Sequence, residues 1–134
     1  MISMIVLCGA PASGKTTLSK KLVDYYDAVY YSFDEMRCLQ HCELIPYIEE
    51  SLSNGENVVV DSTYPTRTTR TNLIDAIKYI DCKRILIYIN TPLEECVRRN
   101  SQRSQPLSSN MVEGIYKSMQ VPTLDEGWDE IIIY

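Results

Sequence analysis

The chain has 134 residues, 45% hydrophobic and 23% charged, with 5 glycines and 6 prolines. That is one globular domain by size, and it excludes a disordered, collagen-like or low-complexity chain. The net charge of −5 disfavours a protein that grips nucleic acid by bulk attraction, and the longest apolar runs, Met4–Cys8, Ile85–Ile89 and Ile131–Tyr134, are too short to cross a bilayer.

In chain order, Ile2–Cys8 reads as a buried strand and Lys15–Tyr26 as a helix with Leu18, Leu22 and Tyr25 or Tyr26 on one face. Ala28–Phe33 is a second strand, and Asp34 to about His41 a short helix. Leu44, Ile48 and Leu52 recur every four residues up to a helix stop at Asn54-Gly55. Asn57–Asp61 is a third strand, β-branched through Val58-Val59-Val60. Pro65 opens a helix whose buried face is Leu73, Ile74, Ile77 and Ile80. Arg84–Ile89 is a fourth strand. Thr91-Pro92-Leu93-Glu94 has the form of a capping box with proline at the first helical position, and that helix runs to about Arg103. Pro106 breaks the chain within Ser104–Ser108. Met111, Ile115 and Met119 mark a last helix and Asp129–Tyr134 a last strand.

Strands alternating with helices, two of them continuously apolar, predict a parallel five-stranded sheet covered on both faces. The expected architecture is three-layer α/β/α. Ligands in such sheets bind beyond the carboxyl ends of the strands, so functional residues are expected just after each strand.

The first such place carries Gly9-Ala10-Pro11-Ala12-Ser13-Gly14-Lys15-Thr16, a full match to G-x-x-x-x-G-K-S/T between a strand and a helix. Gly9 and Gly14 permit the tight turn, and the backbone N–H groups from Ala12 to Thr17 then face a phosphate. The helix N-terminus adds its dipole. Lys15 is placed for the β- and γ-phosphates of ATP, and the Thr16 hydroxyl for Mg²⁺. No N-K-x-D motif follows the fourth strand, where Asn90-Thr91-Pro92-Leu93 stands, which argues against a GTPase. The chain is also shorter than most GTPase or AAA-type domains, which leaves a small kinase: the expected fold is a three-layer α/β/α P-loop NTPase fold of the adenylate-kinase-like type with a parallel five-stranded sheet, residues 1–134 forming a single P-loop kinase domain.

After the second strand, Asp34 can face an acceptor hydroxyl and take its proton, and Arg37 can hold an acceptor phosphate. Alternatively, Asp34 is an N-cap and Arg37 a surface residue. After the third strand, Asp61 can hold Mg²⁺ directly or through water, orient Arg37, or cap the following helix. Arg99 and Arg103, four apart at the end of the fourth helix, can neutralise charge on a transferred phosphoryl group, or simply complement the helix dipole. Residues 62–103 hold 8 basic side chains (Arg67, Arg70, Lys78, Lys83, Arg84, Arg98, Arg99, Arg103) against 4 acidic, so this segment is the one expected to meet an anion.

Five cysteines, at positions 8, 38, 42, 82 and 96, form no disulfide framework. Cys38 and Cys42 flank His41, but a structural zinc site wants four ligands, and these three read as ordinary side chains. With no basic, apolar leader at the N-terminus, the expected compartment is the cytoplasm.

The loop, Asp34-x-x-Arg37, Asp61-Ser62-Thr63 and Arg99-Asn100-x-x-Arg103 together resemble the kinase domain of bacteriophage polynucleotide 5′-hydroxyl kinases. Val97–Arg103 followed by Ile115–Met119 is the most similar stretch. Pro122–Trp128 resembles the end of the kinase domain in eukaryotic polynucleotide kinase-phosphatases. The resemblance implies Mg²⁺-dependent transfer of the ATP γ-phosphate to a 5′-hydroxyl end of DNA or RNA. By position, Lys15 and Thr16 would hold phosphates and metal, and Asp34 would be the general base. Arg37 would hold the phosphate next to the acceptor nucleoside, Asp61 would support the centre, and Arg99 and Arg103 would form a lid. No phosphatase half accompanies these motifs, so 3′ end-healing is not implied. A kinase of a small molecule or mononucleotide, and a regulator that holds ATP without turnover, are the alternatives.

Overall fold

β1 (Ser3–Cys8) is buried along its whole length and forms the middle of the sheet in the computed structural model, which describes all 134 residues. On one side it pairs with β3 (Val58–Asp61), and beyond that lies β2 (Val29–Ser32). On the other it pairs with β4 (Lys83–Tyr88), followed by β5 (Glu130–Ile133) at the edge. All pairings are parallel and the order is β2-β3-β1-β4-β5. Only strands apolar on both faces suit the middle of such a sheet, and Met4–Cys8, Val58–Val60 and Ile85–Ile87 supply them.

Alternate β1 residues face opposite layers, as strand geometry requires. Met4, Val6 and Cys8 join Leu44, Ile48, Leu52, Leu73 and Ile77 in one core, so α2 (Ile45–Ser53) and α3 (Arg67–Ile77) cover that face. Ile5 and Leu7 join Val59, Ile85 and Ile87 in the other, covered by Leu18 and Leu22 of α1 (Lys15–Tyr26). A smaller cluster of Ala10, Cys96 and Val112 seats α4 (Leu93–Ser101) and α5 (Ser109–Ser118) beside the phosphate loop. This is the three-layer α/β/α P-loop kinase fold, with the sheet as predicted.

Several local expectations change. Asp34–His41 is not a helix. A turn over Phe33–Arg37 ends where Arg37 takes φ 54° and the Cys38 N–H closes back on the Phe33 carbonyl at 3.0 Å. The chain restarts at a 3₁₀ turn, His41–Leu44, capped reciprocally by Gln40 and Glu43. Helix α3 opens at Arg67 rather than Pro65, because the Thr66 side chain accepts from the Thr69 N–H. Ile80 lies past the end of that helix, and Arg103 lies past the end of α4. Thr91 caps nothing: its hydroxyl donates instead to the Ser13 carbonyl at 2.7 Å, and α4 starts at Leu93 after Pro92. On α5 the buried residue is Val112, whereas Met111 is exposed.

Candidate active site

A cleft of about 1110 Å³ opens at the carboxyl ends of the strands. Pro11–Thr16 of the phosphate loop, Gly9–Thr16, lines it. Two of its residues occupy left-handed backbone, Ala12 at φ 61° and Gly14 at φ 106°. A Cβ at Gly9 would stand 2.9 Å from Ser13 Oγ and 3.1 Å from the Ile89 carbonyl, so the turn closes only around glycine. Ser13 is buried and its hydroxyl has no partner. An orphaned hydroxyl in a ring of backbone amides suits a bound anion.

Lys15 is 9% exposed, and its ammonium donates to the Ala10 carbonyl at 2.7 Å. Burial lowers its pKa, opposed by the negative charges of Asp61 and Asp34. The lysine is thus held in the loop, drawn from two sides by carboxylates that also line the cleft.

Asp61 ends β3 and is 5% exposed. Its Oδ2 accepts from Thr16 Oγ1 at 2.9 Å and from the Tyr30 hydroxyl at 2.7 Å. Burial, then the bond to Asp61, pushes the Tyr30 phenol above its ordinary range. Thr16 and Asp61 present two hard oxygens side by side. That fits Mg²⁺, which uses one or two protein oxygens and takes the rest from phosphates and water. Asp61 neither touches Arg37 nor caps α3, the two alternative roles open to it in sequence.

Arg99 Nη1 donates to the Ser13 carbonyl at 3.0 Å and Nε to Glu95 Oε1 at 2.9 Å. Arg98 and Arg99 together hold the Glu95 carboxyl down at about 2. Arg103 Nη2 lies 3.9 Å from Asp34 Oδ2 across the cleft mouth. Both arginines and Asp34 line the cleft, as do Thr17 and the loop residues. Arg98 turns away to Glu95. Arg37 stands exposed outside the lining, its backbone N–H bonded to the Asp34 carbonyl at 3.1 Å. Of the eight basic residues of 62–103, Arg99 and Arg103 reach the cleft. Arg67 pairs with Asp125, Lys83 with Glu130, and Arg70 is wholly buried against Glu126.

Sequence reasoning passed over four residues here. Tyr30 and Thr91 hold Asp61 and Ser13; no motif marks Tyr30, and Thr91 reads in sequence only as a helix cap. Ser62 Oγ lies 2.9 Å from His41 Nδ1, and His41 packs between Phe33 and Tyr64 with ring centroids 4.9 and 4.8 Å away. The one signal for His41 in the sequence is that it is the lone histidine.

Residues 37–121 match a protein family described as AAA domain. Shortness, which argued against an AAA-type domain, gives way to this match, since a P-loop sheet of five strands closes within the length present. The chain is 28% identical over 143 residues to the L-seryl-tRNA(Sec) kinase of Methanococcus maripaludis, covering 94% of this chain and 56% of that protein. It is 29% identical over 138 residues to a candidate bifunctional polynucleotide phosphatase/kinase of Acanthamoeba polyphaga mimivirus, covering 96% of this chain and 32% of that one. The chain therefore spans about half or less of the length of these curated relatives. Among solved structures, Kti12 of Chaetomium thermophilum in complex with ADP-AlF3 superposes with a TM-score of 0.84 at 17% identity, over 98% of this chain and 88% of that one. No helix is long and apolar enough to cross a membrane.

Proposed function

The chain belongs to the AAA domain family, and from that premise and the geometry of the cleft we propose that it is an ATP-dependent phosphotransferase acting on the 5′-hydroxyl end of DNA or RNA. One observation carries the reading: the phosphate loop with its buried Lys15 opens into the same cleft as Asp34, Asp61, Arg99 and Arg103. A nucleotide-binding regulator needs the loop but has no use for an exposed carboxylate facing an arginine across the mouth.

In this reading the β- and γ-phosphates of ATP lie over the loop amides and Lys15. The acceptor hydroxyl approaches from the side of Asp34. Its oxygen forms a bond to the γ-phosphorus while the bond to the β,γ-bridging oxygen breaks, and Asp34 takes the hydroxyl proton. Lys15, Arg99 and Arg103 meet the charge that builds on the transferred group and on the departing ADP. Thr16 and Asp61 are the residues that would hold Mg²⁺, which when bound offsets charge on the phosphate oxygens. Arg37, exposed outside the cleft lining, is left to follow the strand beyond its first nucleoside.

The relatives support a nucleic-acid acceptor in two forms, one named for a polynucleotide and one for a seryl-tRNA. A hydroxyl at a strand's 5′ end agrees better with the motif set of Asp34, Arg37, Arg99 and Arg103. Transfer from labelled ATP to a 5′-OH oligonucleotide, run beside seryl-tRNA, nucleosides and sugars, tests the choice. Preference for the oligonucleotide is expected. Preference for seryl-tRNA or a sugar would replace the acceptor, and ATP binding without transfer to any of them would favour the regulator.

A further inference from the structure

Two donors converge on one carbonyl of the phosphate loop. The Thr91 hydroxyl reaches the Ser13 oxygen at 2.7 Å, and Arg99 Nη1 reaches the same oxygen at 3.0 Å. That oxygen belongs to the peptide leading into Gly14, which holds φ at 106° at the head of α1. A trans peptide is planar, so its C=O and the following N–H point in opposite directions. Drawing the Ser13 carbonyl toward Thr91 and Arg99 therefore aims the Gly14 N–H away from them, toward the hollow ringed by the loop's other amides. The Ser13 N–H is already taken by the Ala10 carbonyl at 3.2 Å, whereas the Gly14 N–H donates to no group of the protein. A free N–H at a helix N-terminus, one residue from the buried Lys15 ammonium, is a donor for an anionic oxygen.

Glycine leaves its flanking peptides free to turn, so this orientation lasts only if something holds it. The two holds differ in kind. Arg99 is exposed, and in the reading above its charge goes to the transferred group. Thr91 is half-buried in the short turn between β4 and α4, and that turn is tied at both ends. The Asn90 N–H donates to the Tyr134 carbonyl at 3.0 Å, and the Glu95 and Cys96 N–H groups donate to the Pro92 carbonyl at 3.1 Å each. The Thr91 hydroxyl thus stays in place whatever Arg99 does.

We infer that Thr91 is a positioning residue for the nucleotide: it locks the Ser13–Gly14 peptide with the N–H on a phosphate of ATP, and keeps it there when Arg99 turns to the transferred group. This rests on the ATP-dependent transfer proposed above and not on the choice of acceptor.

Thr91→Val keeps the side chain's shape without the hydroxyl, and Thr91→Ser keeps the hydroxyl. In calorimetric titration with ADP and Mg²⁺, the valine variant should bind about tenfold more weakly, the scale of one lost hydrogen bond, and the serine variant within about twofold of the parent. Introduced beside Arg99→Ala, the same valine should cost a larger factor, because no second donor then holds the carbonyl. Ser13-Gly14 is the one Ser-Gly pair in the chain, so carbonyl-¹³C serine with ¹⁵N glycine isolates this single amide in an NMR spectrum. Its signal should move on adding ADP in the parent and in Thr91→Ser, and should move less at saturation in Thr91→Val. Parent-like affinity in the valine variant, a weakening that the serine variant shares, equal factors with and without Arg99, or an amide displacement that valine does not alter would each overturn the inference. These readouts need neither acceptor nor turnover. A parent protein that binds no ADP would defeat the phosphotransfer reading itself, and one that binds ADP but leaves 5′-OH strands untouched would defeat only the acceptor.

Discussion

Arg99 and Ser13 are joined by a 3.0 Å hydrogen bond from the Nη1–H to the carbonyl, which latches α4 onto the phosphate loop. Gly14 lies under the same guanidinium: a Cβ there would stand 3.2 Å from Nη1. Arg103, four residues on, reaches toward Asp34 instead. The two arginines therefore bracket the cleft, one at the phosphate loop and one at Asp34, the carboxylate proposed to face the acceptor.

Lys15→Ala, Arg99→Ala and Arg103→Ala should each lower kcat by ~10²-fold or more, the loss expected when a charge facing the transition state is removed. Arg98→Ala should stay within about twofold of the parent, because that side chain is spent on an exposed pair with Glu95. Steady-state kinetics on a 5′-OH oligonucleotide separate the two groups. Equal effects at positions 98 and 99 would remove the distinction between them.

Asp34→Asn should bind ATP with unchanged affinity and transfer no phosphate, since the side chain keeps its shape but can no longer take a proton. Isothermal titration with ATP beside a single-turnover assay gives both quantities. Normal turnover in this variant would take the base role away from Asp34.

The sheet and the phosphate loop could be read from the residues because each is written locally. Val58–Val60 and Ile85–Ile87 are apolar on both faces, and Gly9–Thr16 has fixed spacing. What escaped reading depends on distant partners. Thr91 looks like a cap, yet a carbonyl 78 positions earlier in the chain claims its hydroxyl. Asp34–His41 has helical spacing, yet the turn at Arg37 and the restart at Gln40–Glu43 break it. Arg70 reads as one more basic residue in the middle segment, and it is the most deeply buried of them.

That burial has a cost that can be measured. Arg70 donates Nε and Nη2 to the two carboxylate oxygens of Glu126 at 2.8 and 3.0 Å, and Nη1 to the Tyr64 carbonyl at 2.9 Å. Trp128 Nε1 donates to the same carboxylate. Arg70→Ala should destabilise the fold by about 3–5 kcal/mol in urea unfolding, because it strands a buried negative charge. Arg70→Met combined with Glu126→Gln should recover a substantial part of that loss. If the double variant is no better than Arg70→Ala, packing rather than charge governs the site.

Stability should fall as pH drops through the histidine range. Burial lowers the folded pKa of His41 beneath its ordinary value, so between the two pKa values the unfolded chain binds more protons and stability rises with pH. The paired carboxylates act lower on the scale. Asp125 is held at about 2 by Arg67, and Arg70 and Trp128 hold Glu126 below the ordinary range against its burial, so their contribution is lost only as pH falls below the usual carboxylate values. The melting temperature should therefore decline between pH 7.5 and 5.5 in the parent and be flatter in His41→Gln. An equal decline in both would assign the effect elsewhere.

The partners Arg70 and Glu126 are 56 positions apart. A nascent chain emerging from the ribosome would carry a hydrated guanidinium until the later segment follows it out. Only then can α3 settle fully onto the sheet, since docking it earlier would seal an uncompensated positive charge inside. Closure is thereby biased toward a late step, with the phosphate loop's strand made well before the segment around Glu126 that completes its surroundings.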